Sequence, residues 1–247
     1  MPGCVGWIGF VLVMKNLLNE KPSPYASLCG RQKFSCDFVS DEHLRNKKVL
    51  NIGCGIGWFE LFCVTKYVAV VHAVEIDEEG ISTARSNVRY SNVEFSVGNA
   101  LSLPFSDGLF DTIVCWEVLE HIPTNTEPLM FSEIFRMLKP SGQFYMSTPY
   151  RSILSTLLDP AWWLIGHRHY MEGQLEELAE TAGLKIRRLE KKGRIWEIIG
   201  WWNLYISKWI FRRHPFYEKY MKDKAIREFC GDKDGFTNIF VHLEKPM

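Results

Sequence analysis

The stretch VLNIGCGIGWFE, residues 49–60, constrains this chain more than any other. An apolar run of strand character ends in three glycines at alternate positions, Gly53, Gly55 and Gly57, and a helix-forming segment follows. Strand, glycine-rich turn and helix together put backbone N–H groups and a helix N-terminus around one polar ligand. Such loops usually hold nucleotide-like cofactors, and the spacing discriminates between them. A dinucleotide loop wants G-x-G-x-x-G, its third glycine allowing close helix–strand packing. Counted from Gly53, that third position is Trp58. The pattern is G-x-G-x-G, which disfavours a dinucleotide.

Strand and helix patterns alternate from Lys48 onward. Strands are expected at 49–53, 68–76, 93–98, 110–116 and 142–148, with helices at 57–66, 78–88 and 127–138 between them. The run VAVVHAVEI lacks polar alternation and suits a sheet covered on both faces. Alternation of this kind gives a mostly parallel sheet with its ligands at the carboxyl ends of the strands. After Pro149 the chain turns loop-rich and aromatic, then a helix is expected at 171–184 and strands at 185–191 and 237–245. An insertion of about 45 residues separates those two strands, longer than ordinary connections.

In this setting VLNIGCGIG resembles the first motif of the class I S-adenosylmethionine (SAM)-dependent methyltransferases. The likeness continues in order through AVEID (73–77), VGNALSLPF (97–105), FDTIVCWEVLEHIP (110–123) and MLKPSGQFYMSTP (137–149). It implies an α/β, Rossmann-like fold: a seven-stranded, mostly parallel sheet with helices on both faces. The last strand would be antiparallel, with the aromatic insertion before it. It implies SAM as cofactor, with Gly53, Gly55 and Gly57 beside its methionine part and Glu75 on the ribose hydroxyls. Asn99 and Ala100 would hold the adenine, and Trp116 would close the site. Asn51 and Asn99 stand where the family usually shows aspartate, so Asn51 removes a carboxylate near the cationic end of SAM. The resemblance further divides the chain into an N-terminal helical lid or extension, 1–44, and the methyltransferase domain, 45–247. Segments 150–170 and 192–236 of that domain are its substrate-side elements.

SAM carries its own electrophile, so the protein must line up an acceptor and exclude water. A hydroxyl acceptor also needs a group to take its proton. Glu117, Glu120 and His121, in WEVLEHIP after the fourth strand, share one helical face at i, i+3 and i+4. They are the candidate catalytic residues. E-x-x-E-H here is similar to the motif of some metal-assisted O-methyltransferases. That resemblance makes Glu117, Glu120, His121, His167 and His169 the candidate ligands of Mg²⁺ or Mn²⁺. A metal-free histidine base and a purely structural role stay open beside it.

RIWEIIGWWNLYISKWIFRR, 194–213, reads as a helix with Ile195, Ile198, Ile199, Trp202, Tyr205, Ile206, Trp209 and Ile210 in one apolar sector. With Lys and Arg on both flanks, it suits peripheral contact with anionic lipid. Packing on the sheet or over the acceptor pocket explains the same pattern. Six of the nine tryptophans, crowded into this insertion and the 150–170 segment, favour a small or lipid-like acceptor. Lys+Arg and Asp+Glu balance at 29 each, which speaks against a nucleic-acid substrate. An RNA methyltransferase and a non-catalytic SAM-binding or membrane-docked protein are the alternatives. Seven cysteines without a CxxC pair suit reduced cytoplasmic thiols, and the expected location is cytoplasmic, with membrane association through the insertion. The apolar run Cys4–Met14 is too short to span a bilayer and has no basic segment before it, so neither a membrane helix nor a signal peptide is expected.

Overall fold

Apolar runs without polar alternation become the inner strands of a single sheet. A computed structural model of the chain describes Leu28 and residues 30–247. The expected element at 1–20, and with it most of the lid, lies outside those residues. Seven strands run β1 (Lys48–Ile52), β2 (Val70–Glu75), β3 (Val93–Val97), β4 (Phe110–Trp116), β5 (Leu138–Pro149), β6 (Lys185–Lys192) and β7 (Asn238–Glu244). Their order in the sheet is β3-β2-β1-β4-β5-β7-β6. The first five pair in parallel, and β7 runs antiparallel between β5 and β6. The chain order reverses beside β1 and β4, so the cleft for ligands opens above the carboxyl ends of those two strands.

Alternation along each strand feeds two cores. On one face, α1 (Gly30–Phe38) and α2 (Trp58–Thr65) pack Phe34, Phe38, Phe59 and Phe62 against Val49, Val114, Tyr145 and Phe240, and α9 (Glu218–Phe229) adds Phe229. On the other, α4 (Glu127–Met137) and α7 (Glu172–Ala182) pack Met130, Phe131, Ile134, Leu175 and Ala179 against Leu50, Ile52, Ile113, Phe144 and Val241. Each fully buried phenylalanine contributes about 1.5–3 kcal/mol by leaving water. Helix α3 (Glu78–Asn87) is capped by Asp77, whose side chain accepts from Gly80 N at 2.7 Å. Residues 30–44 therefore belong to the core of the domain, since Phe34, Cys36, Phe38, Val39 and Leu44 are all buried in it.

One segment differs from expectation. The stretch after Pro149, read as loop-rich, forms two short helices, α5 (Ile153–Leu158) and α6 (Pro160–Ile165). Ser152 caps α5 by accepting from Ser155 N, and Asp159 caps α6 with Pro160 at its first position. Within the insertion, α8 (Ile195–Trp209) forms as its periodicity predicts, and α9 joins it. Of the two orientations its pattern leaves open, the apolar side turns largely outward: Glu197 and Ser207 from the polar side are buried, whereas Trp202, Trp209 and Ile210 are 44%, 51% and 70% exposed. Asn203 explains part of this, because its amide donates to Phe216 O and its oxygen accepts from Phe216 N and Ser207 Oγ.

Candidate active site at the carboxyl end of the sheet

Gly53, Gly55 and Gly57 all adopt positive φ, 78°, 54° and 88°. A Cβ on Gly53 would stand 2.3 Å from Val118 Cγ2, and one on Gly57 would stand 2.7 Å from Val88 Cγ2. A Cβ on Gly55 would meet nothing within 4 Å, so the loop is open on that side. At the end of β2, Glu75 accepts from Gly55 N at 3.0 Å and from its neighbour Ile76 N at 2.8 Å. Each carboxylate oxygen keeps a second lone pair for a ribose hydroxyl. Asn99 is exposed and its side-chain oxygen accepts from Leu101 N at 3.0 Å, while Ala100 beside it is buried. The open glycine loop and the half-exposed Glu75 carboxylate fit a nucleoside cofactor.

Behind the loop, Asn51 is buried and donates to Glu60 Oε1 at 2.6 Å. Trp116, at the end of β4, is also buried, its ring 5.6 Å from that of Phe59.

Glu117 follows with φ 54°, a strained value for a residue with a side chain. Its carboxylate accepts from Arg31 Nη1 (2.8 Å), Asn238 Nδ2 (3.0 Å) and Ser147 Oγ (2.6 Å). It thus ties α1, β5 and β7 together below the cleft. Neither group of side chains with converging metal-ligand atoms among the described residues includes Glu117. Those groups are Glu120, His121 and His167, and Asp159, His167 and His169.

Glu120 is buried, accepts from Thr148 Oγ1 at 3.0 Å, and leaves Oε1 without a partner. That oxygen lies 3.9 Å from His121 Nε2 and 3.8 Å from His167 Nε2. Burial, reinforced by Glu117, pushes the Glu120 carboxyl up to about 8. Burial, then repulsion from His167, Arg31 and Arg168, lowers the His121 imidazole to about 3, although 31% of its side chain is exposed. His167 moves the other way: burial opposes its charge, but Asp159 and Glu120 outweigh burial and raise it. Asp159 Oδ2 lies 3.4 Å from His167 Nδ1 and 2.9 Å from His169 Nε2. Sequence reasoning missed Asp159 as a partner of these histidines; its signal was Asp-Pro, a helix cap. Each group offers two imidazoles and one carboxylate, a donor set that suits a transition metal such as zinc better than Mg²⁺, which prefers oxygen ligands.

Asp159 also joins this cluster to an apolar surface. Ile153, Leu154 and Leu157 of α5, Trp163 and Leu164 of α6, and Trp202 and Trp209 of α8 are exposed. Trp202 Nε1 donates to Leu158 O at 2.9 Å, which fastens α8 to the end of α5. Among the described residues, no helix is long and apolar enough to cross a membrane. The base-rich strip 185–194 is largely paired, with Arg187 on Glu244, Arg188 on Glu190 and Lys191 on Glu172.

A family model for a methyltransferase domain matches residues 31–189. Over 140 residues the chain is 32% identical to a probable S-adenosylmethionine-dependent methyltransferase of Mycolicibacterium smegmatis, which covers 57% of this chain and 52% of that one. It is 22% identical over 239 residues to the phosphoethanolamine N-methyltransferase of Plasmodium falciparum, 96% of this chain and 87% of that protein. The crystal structure of the cyclase SpnF shares the fold, with a TM-score of 0.69 at 19% identity over 99% of this chain and 97% of its own. The chain spans about half the length, or less, of three such curated relatives.

Proposed function

The chain belongs to the class I SAM-dependent methyltransferases, and we propose that it moves the SAM methyl group to a hydroxyl oxygen of a small acceptor with a lipid-like part. The observation that carries this reading is the junction at Asp159. One carboxylate holds the histidines of the cleft and caps a helix whose tryptophan and leucine face solvent. An acceptor whose apolar part lies on α5, α6 and α8 would bring its polar end to His121.

When bound, SAM supplies a methyl group on a sulfonium. Gly53, Gly55 and Gly57 hold the backbone open for it, and Glu75 receives the ribose. His121, part-exposed at the cleft, would take the acceptor's proton as the oxygen receives the methyl group, the S–CH₃ bond breaks and S-adenosylhomocysteine leaves as the neutral thioether. Glu120 lies behind His121, its carboxyl held above the usual carboxylate range by burial. Asp159 fixes the orientation of His167 and His169, and Glu117 anchors the turn that presents Glu120 and His121. The exposed apolar side of α8, with Lys208, Arg212 and Arg213 at its end, would seat the protein on an anionic lipid surface.

Incubating the chain with methyl-labelled SAM and a total cell extract, then partitioning between water and organic solvent, tests this reading. Label in the organic phase, on an ether oxygen, is the expected result. Label confined to water-soluble amines would overturn it in favour of a nitrogen acceptor such as that named for the Plasmodium relative. A second reading rests on the unpartnered Glu120 Oε1. A divalent transition metal held by Glu120, His121 and His167 would polarise the acceptor hydroxyl. Metal-dependent quenching of nearby tryptophan fluorescence, lost in His167→Ala, tests it.

A further inference from the structure

Position 51 lacks the carboxylate that the family usually places near the ammonium of SAM, yet a carboxylate is buried beside it. Glu60, in the first turn of α2, has no solvent exposure and lies between Phe59 and Phe62 in a helix that is otherwise apolar, WFELFCVT. Asn51 Nδ2 donates to its Oε1 at 2.6 Å. That bond sets the amide, since the reverse orientation would bring two acceptor oxygens together. Asn51 Oδ1 is thereby left as a buried acceptor without a partner, and Glu60 Oε2 is another. A pair serving packing alone would gain from satisfying or losing both oxygens. Two buried acceptor oxygens without partners, one on a carboxylate and one on the amide two residues before Gly53, suit a cation.

We infer that Glu60, acting through Asn51, supplies the negative charge that receives the cofactor's ammonium group, the pair replacing a single aspartate. The inference rests on SAM as the cofactor. Titratable groups near Glu60 are Cys63 on its own helix, Cys54 in the glycine loop and Glu75 on β2, with Cys36 of α1 beyond Cys63. Burial pushes all three thiols up, Cys36 to about 12. Burial also lifts Glu60 to about 7, with Glu75 adding to the rise and the Asn51 bond opposing it. An arriving cation should expel the proton that Glu60 carries in part near neutrality.

Calorimetry on the full chain tests this with two ligands. S-Adenosylhomocysteine carries the ammonium, and 5′-methylthioadenosine lacks the amino acid end. In buffers of different ionisation enthalpy, the wild-type chain should bind the first more tightly and release a fraction of a proton near pH 7. Glu60→Gln should lose about tenfold or more in affinity for S-adenosylhomocysteine. Its affinity for methylthioadenosine should be unchanged and its proton release abolished. Should Glu60→Gln fail to fold, Asn51→Asp combined with Glu60→Leu restores a single acid. That variant should keep the preference for the charged ligand without the proton release. An unchanged ligand preference in Glu60→Gln, or its loss in the folded double variant, would overturn the inference. A wild-type chain that binds neither ligand would instead remove the SAM reading beneath it.

Discussion

Asp159 accepts from His169 Nε2 at 2.9 Å through one carboxylate oxygen and from Ala161 N at 2.8 Å through the other, so one side chain caps α6 and orients the histidines. The two duties can be separated. Asparagine caps a helix about as well as aspartate but brings no charge to His167, whose pKa Asp159 helps to raise. Asp159→Asn should therefore keep α6 and lower turnover by roughly tenfold to a hundredfold, within the usual range for a mispositioned proton-transfer group. Turnover and circular dichroism measured side by side check this; equal loss in both would make Asp159 a fold residue only.

Cofactor and acceptor sides should also come apart kinetically. Glu75→Ala removes the carboxylate that bridges Gly55 N and Ile76 N. SAM affinity should fall by about tenfold or more for lost charge-assisted hydrogen bonds. His121→Ala should leave that affinity nearly intact and cut turnover by about 10²–10⁴. Turnover untouched in His121→Ala would place the chemistry elsewhere.

The exposed side of α8 predicts lipid binding that is independent of folding. Trp209 and Ile210 are 51% and 70% exposed, so changing both to glutamate removes little buried area. Stability should stay within about 0.5 kcal/mol, as for surface changes generally. Co-sedimentation with anionic vesicles should be lost, and neutral vesicles should bind weakly to either form. Equal binding of both forms to anionic vesicles would exclude α8 as the docking surface.

Acid should destabilise the fold through half-buried imidazoles between β5, β7 and the short helix Asp41–His43. His242 stacks on Tyr145 with centroids 4.2 Å apart, and the Tyr145 hydroxyl meets His43 Nδ1 at 2.6 Å. Burial, then repulsion from His43, lowers His242 to about 4, and burial lowers His43 as well. Their folded values lie below the unfolded 6.5, so the unfolded chain binds more protons in the window between. Stability should be full above about pH 6.5 and fall as pH drops toward 4, by ~1–2 kcal/mol after allowing for partial solvent access. Denaturant midpoints across that range check the sign; a midpoint that rises on acidification would refute it.

The inner strands were legible because continuous apolar runs admit few other structures, and the pairing order follows from their connections. Helix α8 was legible in its period, whereas its pattern left two orientations open, and Asn203 and Ser207 decide between them by finding partners on the inner side. The two short helices had readable caps at Ser152 and Asp159-Pro160, overlooked beneath the aromatic residues. Glu117's partners could not be read at all: Arg31 and Asn238 lie 86 and 121 residues away, and nothing local announces either. Glu60 did leave a trace, an acid in the middle of an apolar helix face.

The glycine loop allows structure and function to be told apart within three residues. Gly53 combines φ 78° with a Cβ position 2.3 Å from Val118 Cγ2. Gly53→Ala should cost about 2 kcal/mol or more, from left-handed strain and overpacking. For a chain of this size that is roughly 4–8 °C in Tm. Val118→Ala should recover the packing share and leave the strain. Gly55 differs, with φ 54° and nothing within 4 Å of its missing Cβ. Gly55→Ala should therefore fold with a loss of only about 1 kcal/mol, while its new methyl group occupies the open side of the loop and weakens SAM binding. Thermal melts with and without SAM on both variants separate the two effects. If Gly55→Ala still gains as much Tm from SAM as the wild-type chain, the cofactor does not lie against that side of the loop.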